Sequence, residues 1–260
     1  MKSPDKRSYF SDSLARGLLV LRAFDGTAPR LRVSEIAERT KLSRAVARRY
    51  LLTLRDLGYV GTDGEAFFLR PRVLDFGHQY FAATNIGSLI QPLLVEFAER
   101  TQEATTLGVM DNQEVLVVAR AAKRMLDLAI GSGSRLPILQ TSLGRILAAH
   151  LPDKDLAVMF SALNVDEAER ARLQKEFSTA RRQEYALVQN ELAPKLVAVA
   201  VPLYDRRRQV VAALNVTSYT SSRKELVSNF LPILIETKLQ IEAALRSSNN
   251  ALGDSSANVM

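Results

Sequence analysis

The chain contains no cysteine, which excludes disulfide bonds and thiol catalysis and suits a reducing compartment such as the cytosol. No apolar run reaches the roughly 18 residues of a membrane-spanning helix. The opening Met1-Lys2-Ser3-Pro4-Asp5-Lys6-Arg7-Ser8 lacks the apolar centre of a secretion signal. A cytoplasmic protein with no membrane partner is therefore expected. Histidine is scarce: His78 and His150 stand far apart and without clustered carboxylates, so neither a metal site nor a cofactor is expected. No serine sits in a G-x-S-x-G elbow. Gly131-Ser132-Gly133 lacks both the Gly-Lys-Ser/Thr ending and the G-x-G-x-x-G spacing of a phosphate loop. Little chemistry is left for an enzyme.

What is present is positive charge at one end. The formal net charge is +7 over 260 residues. Residues 1–84 hold 15 Lys and Arg against 9 Asp and Glu, and residues 85–260 hold 20 against 19. The excess belongs to the N-terminal third, an asymmetry that points to nucleic acid.

Its centre is Ser34 to Arg55. Ser34 is placed to cap a short helix, with Glu35 at the positive end of the dipole and Ile36 and Ala37 inward. Thr40, Lys41 and Leu42 make a turn, and Ser43 caps a second helix. At 100° per residue, Val46, Tyr50, Leu54 and Leu57 share the face expected to pack inward. Arg44, Arg48 and Arg55 take the other, with Arg49 at its flank. Arg39, Lys41, Arg44, Arg48 and Arg49 follow one another with no acid between. Like charges at i,i+4 repel, so this crowding calls for an external anion. Arginine forks fit guanine edges and phosphates.

A helix from about Asp12 to Asp25 precedes it, with Leu14, Leu18, Leu21 and Phe24 as its apolar stripe and Gly26 and Pro29 as its stop. Gly58 to Leu69 reads as two strands around the Asp63-Gly64 turn. Three helices and a hairpin make a winged helix-turn-helix. Pro71 opens a further helix whose Val73, Leu74, Phe76, Tyr80 and Phe81 leave it unusually apolar. Pairing with a twin in a dimer is the expectation, because readers of this kind cover two half-sites.

The rest alternates helices and strand pairs: a helix over Ile86–Thr101, strands over Ala104–Met110 and Glu114–Ala121, a strand over Leu126–Ile130, and a loop to Pro137. Helices follow at Ser142–His150, Asp153–Leu163 and Asp166–Arg182. A hairpin joins Lys195–Tyr204 to Gln209–Thr217, a long helix runs over Ser222–Arg246, and a polar tail begins at Ser247. The fold class is α+β, with an antiparallel sheet and helices to one side. Residues 11–70 are expected to form the winged helix-turn-helix DNA-binding domain, 71–84 a helix joining it to the rest, 85–247 the α+β domain and 248–260 a tail.

Four stretches together resemble the IclR family of bacterial transcription regulators: Ser13-Leu14-Ala15-Arg16-Gly17-Leu18; Ala45 to Gly58; Leu136-Pro137 through Ala149; and Ala198 to Leu203 with Val211 to Val216. Arg16-Gly17-Leu18, Ser43-Arg44-Ala45 with Arg48-Arg49, and Pro71-Arg72-Val73-Leu74-Asp75 look most like the branch that regulates protocatechuate, 4-hydroxybenzoate and β-ketoadipate catabolism. The resemblance implies a winged helix-turn-helix, a linker helix and a GAF-like effector domain. It implies a homodimer or tetramer on a palindromic double-stranded operator. The effector, an aromatic acid or β-ketoadipate, would meet Ser142, Leu143, Ala198, Asn215 and Thr217. Asn215 and Thr217 alternate on one strand and so share a face. Thr141 and Arg135 join them on chemical grounds, since a carboxylate needs a helix N-terminus or a cation. On the DNA side, Arg44, Arg48 and Arg49 are assigned to the major groove and Arg16 and Ser43, with the wing, to phosphates; Ser34 completes the set. Many members carry glycine where Glu184 and Lys195 stand here, and Glu191 keeps an expected acid. The alternative is an enzyme with a GAF-like catalytic domain and a regulatory N-terminal domain.

Overall fold

The computed structural model describes residues 9–25, 28–84, 86–123 and 130–247. The strand expected at Leu126–Ile130, the Gly26 stop and the polar tail lie outside them, Ile130 and Ser247 apart. Contacts divide the chain into Met1–Tyr80 and Phe81–Met260.

The first unit holds α1 (Asp12–Arg22), α2 (Val33–Thr40) and α3 (Arg44–Asp56). Strands β1 (Arg30–Leu31), β2 (Val60–Thr62) and β3 (Phe67–Leu69) form an antiparallel sheet in the order β1-β3-β2. Val20, Phe24, Ile36, Ala47, Leu51, Leu54, Val60 and Phe67 form its core. Two stripes differ from the sequence reading. On α1, Leu14 and Leu18 are exposed, while Val20 and, just past the helix, Phe24 are buried. The inward line passes through Gly17, where a Cβ would lie 3.9 Å from the Tyr50 ring. On α3, Ala47, Leu51 and Leu54 are buried and Leu57 is exposed. Helical period predicts a stripe but not its phase, and here the phase is set by a small residue that admits a neighbouring helix. Ser34 is not a cap either: it lies inside α2, and Glu35 folds back to accept the Arg32 N–H at 2.7 Å.

A single-turn 3-10 segment, Pro71–Val73, leads into α4 (Leu74–Thr84). A π-helical turn, Ile86–Ile90, leads into α5 (Gln91–Thr101). The second unit is built on six antiparallel strands: β4 (Ala104–Asp111), β5 (Glu114–Ala121), β6 (Arg135–Pro137), β7 (Ala186–Gln189), β8 (Val197–Tyr204) and β9 (Val210–Ser218), ordered β6-β5-β4-β9-β8-β7. Helices α6 (Ser142–Ala149), α7 (Asp153–Ala162) and α8 (Glu167–Gln183) share one core with Val115, Val117, Ala186, Ala200 and Ala213. Helix α5, the short α9 (Arg223–Glu225), a π turn at Leu226–Phe230 and α10 (Leu231–Ser247) border another. That core takes Leu107, Val199, Val201, Ala212 and Leu214. Neighbouring strand residues point to opposite faces, so the two cores lie on opposite faces of the sheet. The helices cover both faces and not one side. The near-continuous apolar runs of β8 and β9 have this cause, since neither face meets water.

Glu184 and Lys195 adopt left-handed backbone, φ 61° and 63°. That is the physical reason glycine suits both positions. The two differ in what the side chain does. Tyr204 Oη donates to both Glu184 carboxylate oxygens at 2.7 and 2.9 Å, and Lys238 Nζ lies 3.8 Å away. Among the described residues the Lys195 side chain has no bonded partner, and its backbone N–H donates to Asn190 Oδ1 at 2.8 Å. Lys195→Gly is therefore expected to stabilise the second unit by about 1 kcal/mol, a rise in its melting temperature of roughly 2–4 °C. Glu184→Gly is expected to give no such gain, because the relief is offset by the lost Tyr204 bond. Thermal melts of the two variants check this.

Candidate functional site

The turn between α2 and α3 is closed by Lys41, whose backbone is left-handed at φ 55°. Ser43 Oγ accepts the Val46 N–H at 3.3 Å and starts α3. The outward face then carries Arg44, Arg48 and Arg49, all exposed. Among the described residues, Arg44 and Arg48 meet no carboxylate, and Arg49 lies 5.7 Å over the Tyr50 ring. Arg39 departs from the expected cationic group. It donates to Asp25 at 2.8 Å and to the Ala23 carbonyl at 2.9 Å, so it fastens α2 to the end of α1. Arg16 is exposed on α1, and Ser34 is exposed near the start of α2.

The hairpin turns at Asp63-Gly64, with Gly64 at φ 101°. Asp63 Oδ1 accepts the Glu65 and Ala66 N–H groups at 3.1 and 2.9 Å. These bonds, with Arg30 beside it, hold the Asp63 carboxyl below the usual carboxylate range. Arg30 pairs with Asp63, and Arg32 with Glu65 at 3.3 Å. The wing tip is thus zwitterionic, and its own carboxylates stand where a phosphate contact was expected.

In the second unit a narrow cavity of about 30 Å³ lies over the sheet face that carries α6. Thr141, Ser142, Ala198, Asn215 and Thr217 all line it, so five of the expected effector residues converge. Arg120, Thr106, Val188, Glu191 and Leu196 line it with them. Thr141 starts α6: its Oγ1 accepts the Gly144 N–H at 3.1 Å and donates to the Pro137 carbonyl at 3.0 Å. Asn215 Oδ1 accepts the Thr106 N–H at 3.1 Å across the β4–β9 pair. Ser142 is fully buried, and its Oγ has no hydrogen-bond partner among the described residues.

Two expected residues are elsewhere. Leu143 is fully buried in the α6–α8 core. Arg135 pairs with Asp111 and, at 3.0 Å, with Glu114. Its neighbours are the carboxylates of the β4–β5 hairpin, and these claim the cation before a ligand could.

The cavity's cation is Arg120. Its Nη1 donates to Thr106 Oγ1 at 3.2 Å, and burial lowers its pKa. No carboxylate among the described residues pairs with it. Strict alternation along β5 would put Arg120 on the face opposite Val115 and Val117. A register shift opposite Leu107 and Gly108 inserts one residue, Val118, and turns Arg120 back to the cavity side. An arginine inside an otherwise apolar strand was the one signal available in the sequence. Glu191 borders the cavity and accepts from Arg145 at 2.9 Å. Arg145 is itself buried and also bonds Glu176 at 2.7 Å and the Leu139 carbonyl at 2.8 Å. One guanidinium thus holds α6, α8 and the loop after β7 together.

Residues 13–64 match the model of the IclR helix-turn-helix domain, and residues 78–243 match that of the bacterial transcriptional regulator IclR C-terminal. The chain is 36% identical over 236 residues to the Pca regulon regulatory protein of Pseudomonas putida, covering 87% of this chain and 81% of that one. It is 32% identical over 246 residues to the p-hydroxybenzoate hydroxylase transcriptional activator of Acinetobacter baylyi, covering 86% and 88%. An IclR homolog of Microbacterium hydrocarbonoxydans, crystallised with 4-hydroxybenzoate, superposes with a TM-score of 0.78. That match covers 91% of this chain and 100% of the other at 22% identity, a likeness of fold.

Proposed function

This chain belongs to the IclR family of bacterial transcriptional regulators, and on that premise we propose that it controls genes of aromatic-acid catabolism in response to a small aromatic monocarboxylate. The names of its relatives support the pathway. The fully buried, unpartnered Ser142 hydroxyl carries the ligand reading. Leaving such a group unbonded costs about 1–3 kcal/mol. A carboxylate oxygen would satisfy it, with Arg120 supplying the opposite charge. Leu136, Val188, Leu192 and Leu196 offer apolar surface for a ring. A second carboxylate, as in β-ketoadipate, finds no second cation among the described lining residues and meets Glu191 instead.

The cavity's 30 Å³ is well below the order of 150 Å³ that holds benzene. Binding must therefore part the walls. The Glu191–Leu196 loop is one wall free of regular structure, and Glu191 links it to Arg145. As the response, loop displacement strains that ion network and alters how the N-terminal units of the oligomer engage a palindromic operator. The exposed Leu14, Leu18, Leu74 and Phe76 support a homodimer as the minimal unit. Arg44, Arg48 and Arg49 enter the major groove, while Arg16 and Ser43 lie at phosphates.

Titration with 4-hydroxybenzoate or protocatechuate, followed by calorimetry, tests the ligand. At 100 times its Kd a true effector stabilises the protein by about 2.7 kcal/mol. Arg120→Met is expected to weaken binding roughly 10- to 100-fold, the worth of a charge-assisted bond of about 1.5–3 kcal/mol. Equal affinity in this variant, or binding of β-ketoadipate in preference to both aromatics, would overturn the assignment.

A further inference from the structure

The two edges of the six-stranded sheet are finished differently. β6 is three residues long, ends in Pro137, and is pinned by Arg135 to Asp111 and Glu114. Proline, brevity and charge are the usual means of blunting an edge. β7 is also short but lacks the other two. Its four residues, Ala186, Leu187, Val188 and Gln189, include no proline and no charge. It pairs only with β8, at the end of the strand order. One row of backbone N–H and C=O groups therefore faces away from the sheet.

The four residues of β7 line a groove of about 620 Å³. One wall is α8, whose Arg172, Lys175, Glu176, Thr179 and Gln183 follow one another at helical spacing on a single face. The other wall is Arg223, Lys224 and Val227. The walls belong to opposite faces of the sheet, α8 to the core that takes Ala186 and the π turn to the core that takes Leu187. The charges are unbalanced. The two carboxylates that line the groove, Glu176 and Glu191, are already bonded to Arg145 and Arg172. Lys175, Arg223 and Lys224 pair with no carboxylate among the described residues.

We propose that this groove takes an extended acidic peptide segment of a partner protein as a seventh strand on β7. Backbone hydrogen bonds to the open edge supply the docking. Successive side chains of a strand point to opposite faces. Acidic residues at neighbouring positions would then reach Lys175 on one wall and Arg223 or Lys224 on the other. The open sheet edge favours this occupant over DNA, because a duplex cannot extend a β-ladder.

The probe is a fluorescein-labelled peptide of repeated Glu-Glu-Val-Val, which presents Glu to both walls, titrated by anisotropy against the full chain. It is expected to bind, and a Lys–Val counterpart to bind at least about tenfold more weakly. N-methylation at every peptide nitrogen removes the donors of both strand edges without touching the protein, and is expected to weaken binding by about tenfold or more. Lys175→Glu with Arg223→Glu should do the same with an unchanged melting curve. No binding up to about 1 mM, or equal affinity for the N-methylated peptide, overturns the proposal. So does displacement of the peptide by an unrelated DNA duplex whose own binding falls in the same double variant, since the groove would then belong to nucleic acid.

Discussion

Gly144→Ala is expected to destabilise the C-terminal unit by about 3 kcal/mol or more, at the upper end of overpacking effects. A Cβ at this position would stand 1.9 Å from the Ile138 carbonyl oxygen and 2.5 Å from the Ile138 carbonyl carbon and Cα. These are backbone atoms, so no rotamer change can clear them. The segment leading into α6 would have to separate from the helix. That movement would pull Thr141 off the Gly144 N–H and shift Ser142 in the cavity. For a unit of this size the loss corresponds to a fall in melting temperature of roughly 6–12 °C, and effector binding should fail with it. Gly77→Ala is the control. Nothing lies within 4 Å of a Cβ at Gly77, and alanine in a helix interior is worth up to about 1 kcal/mol over glycine. Equal melting curves for Gly144→Ala and the native chain would show that α6 and the preceding loop are not packed this closely.

The paired substitution Arg44→Ala and Arg48→Ala is expected to abolish measurable preference for the operator. Each arginine is worth about 1–3 kcal/mol per half-site if it is bidentate to a base. The salt dependence separates roles. A lost phosphate contact lowers the slope of log K against log salt by about one and weakens all sequences alike. A lost base contact leaves the slope in place and removes discrimination. Anisotropy on the protein's own promoter fragment, at several salt concentrations, reads both. Arg39→Ala should behave differently. Its guanidinium already serves Asp25 and the Ala23 carbonyl, so the loss should appear in stability first. Undiminished operator affinity in the Arg44 and Arg48 double variant would remove α3 from the groove.

Much of the first unit could be read from the chain alone. The Ser43 cap, the Asp63-Gly64 turn and the outward row of Arg44 and Arg48 depend on residues within a few positions of one another. Local chemistry of that range survives in any fold that keeps the helix and the hairpin. The phase of burial did not survive so well. Leu14 and Leu57 looked like core residues and are exposed, because Gly17 and Ala47 allow closer packing on another line. In the effector unit the strands that carry Ala198, Asn215 and Thr217 were visible as apolar runs, and the helix that carries Ser142 as a capped segment. Their convergence followed from family resemblance and alternation.

Sequence by itself thus determined where the helices and most strands lie, that the cations collect on one helix, and, with the family resemblance, which small polar residues line the cavity of the second unit. Tertiary structure alone decided three things. It placed Arg120 in the cavity through an inserted residue in β5, committed Arg135 to the hairpin carboxylates, and left β7 open at the sheet edge between basic walls. The reason is range. Caps, turns and helical period are set by neighbours along the chain, whereas register shifts, ion-pair partners and sheet edges are set by residues tens of positions away.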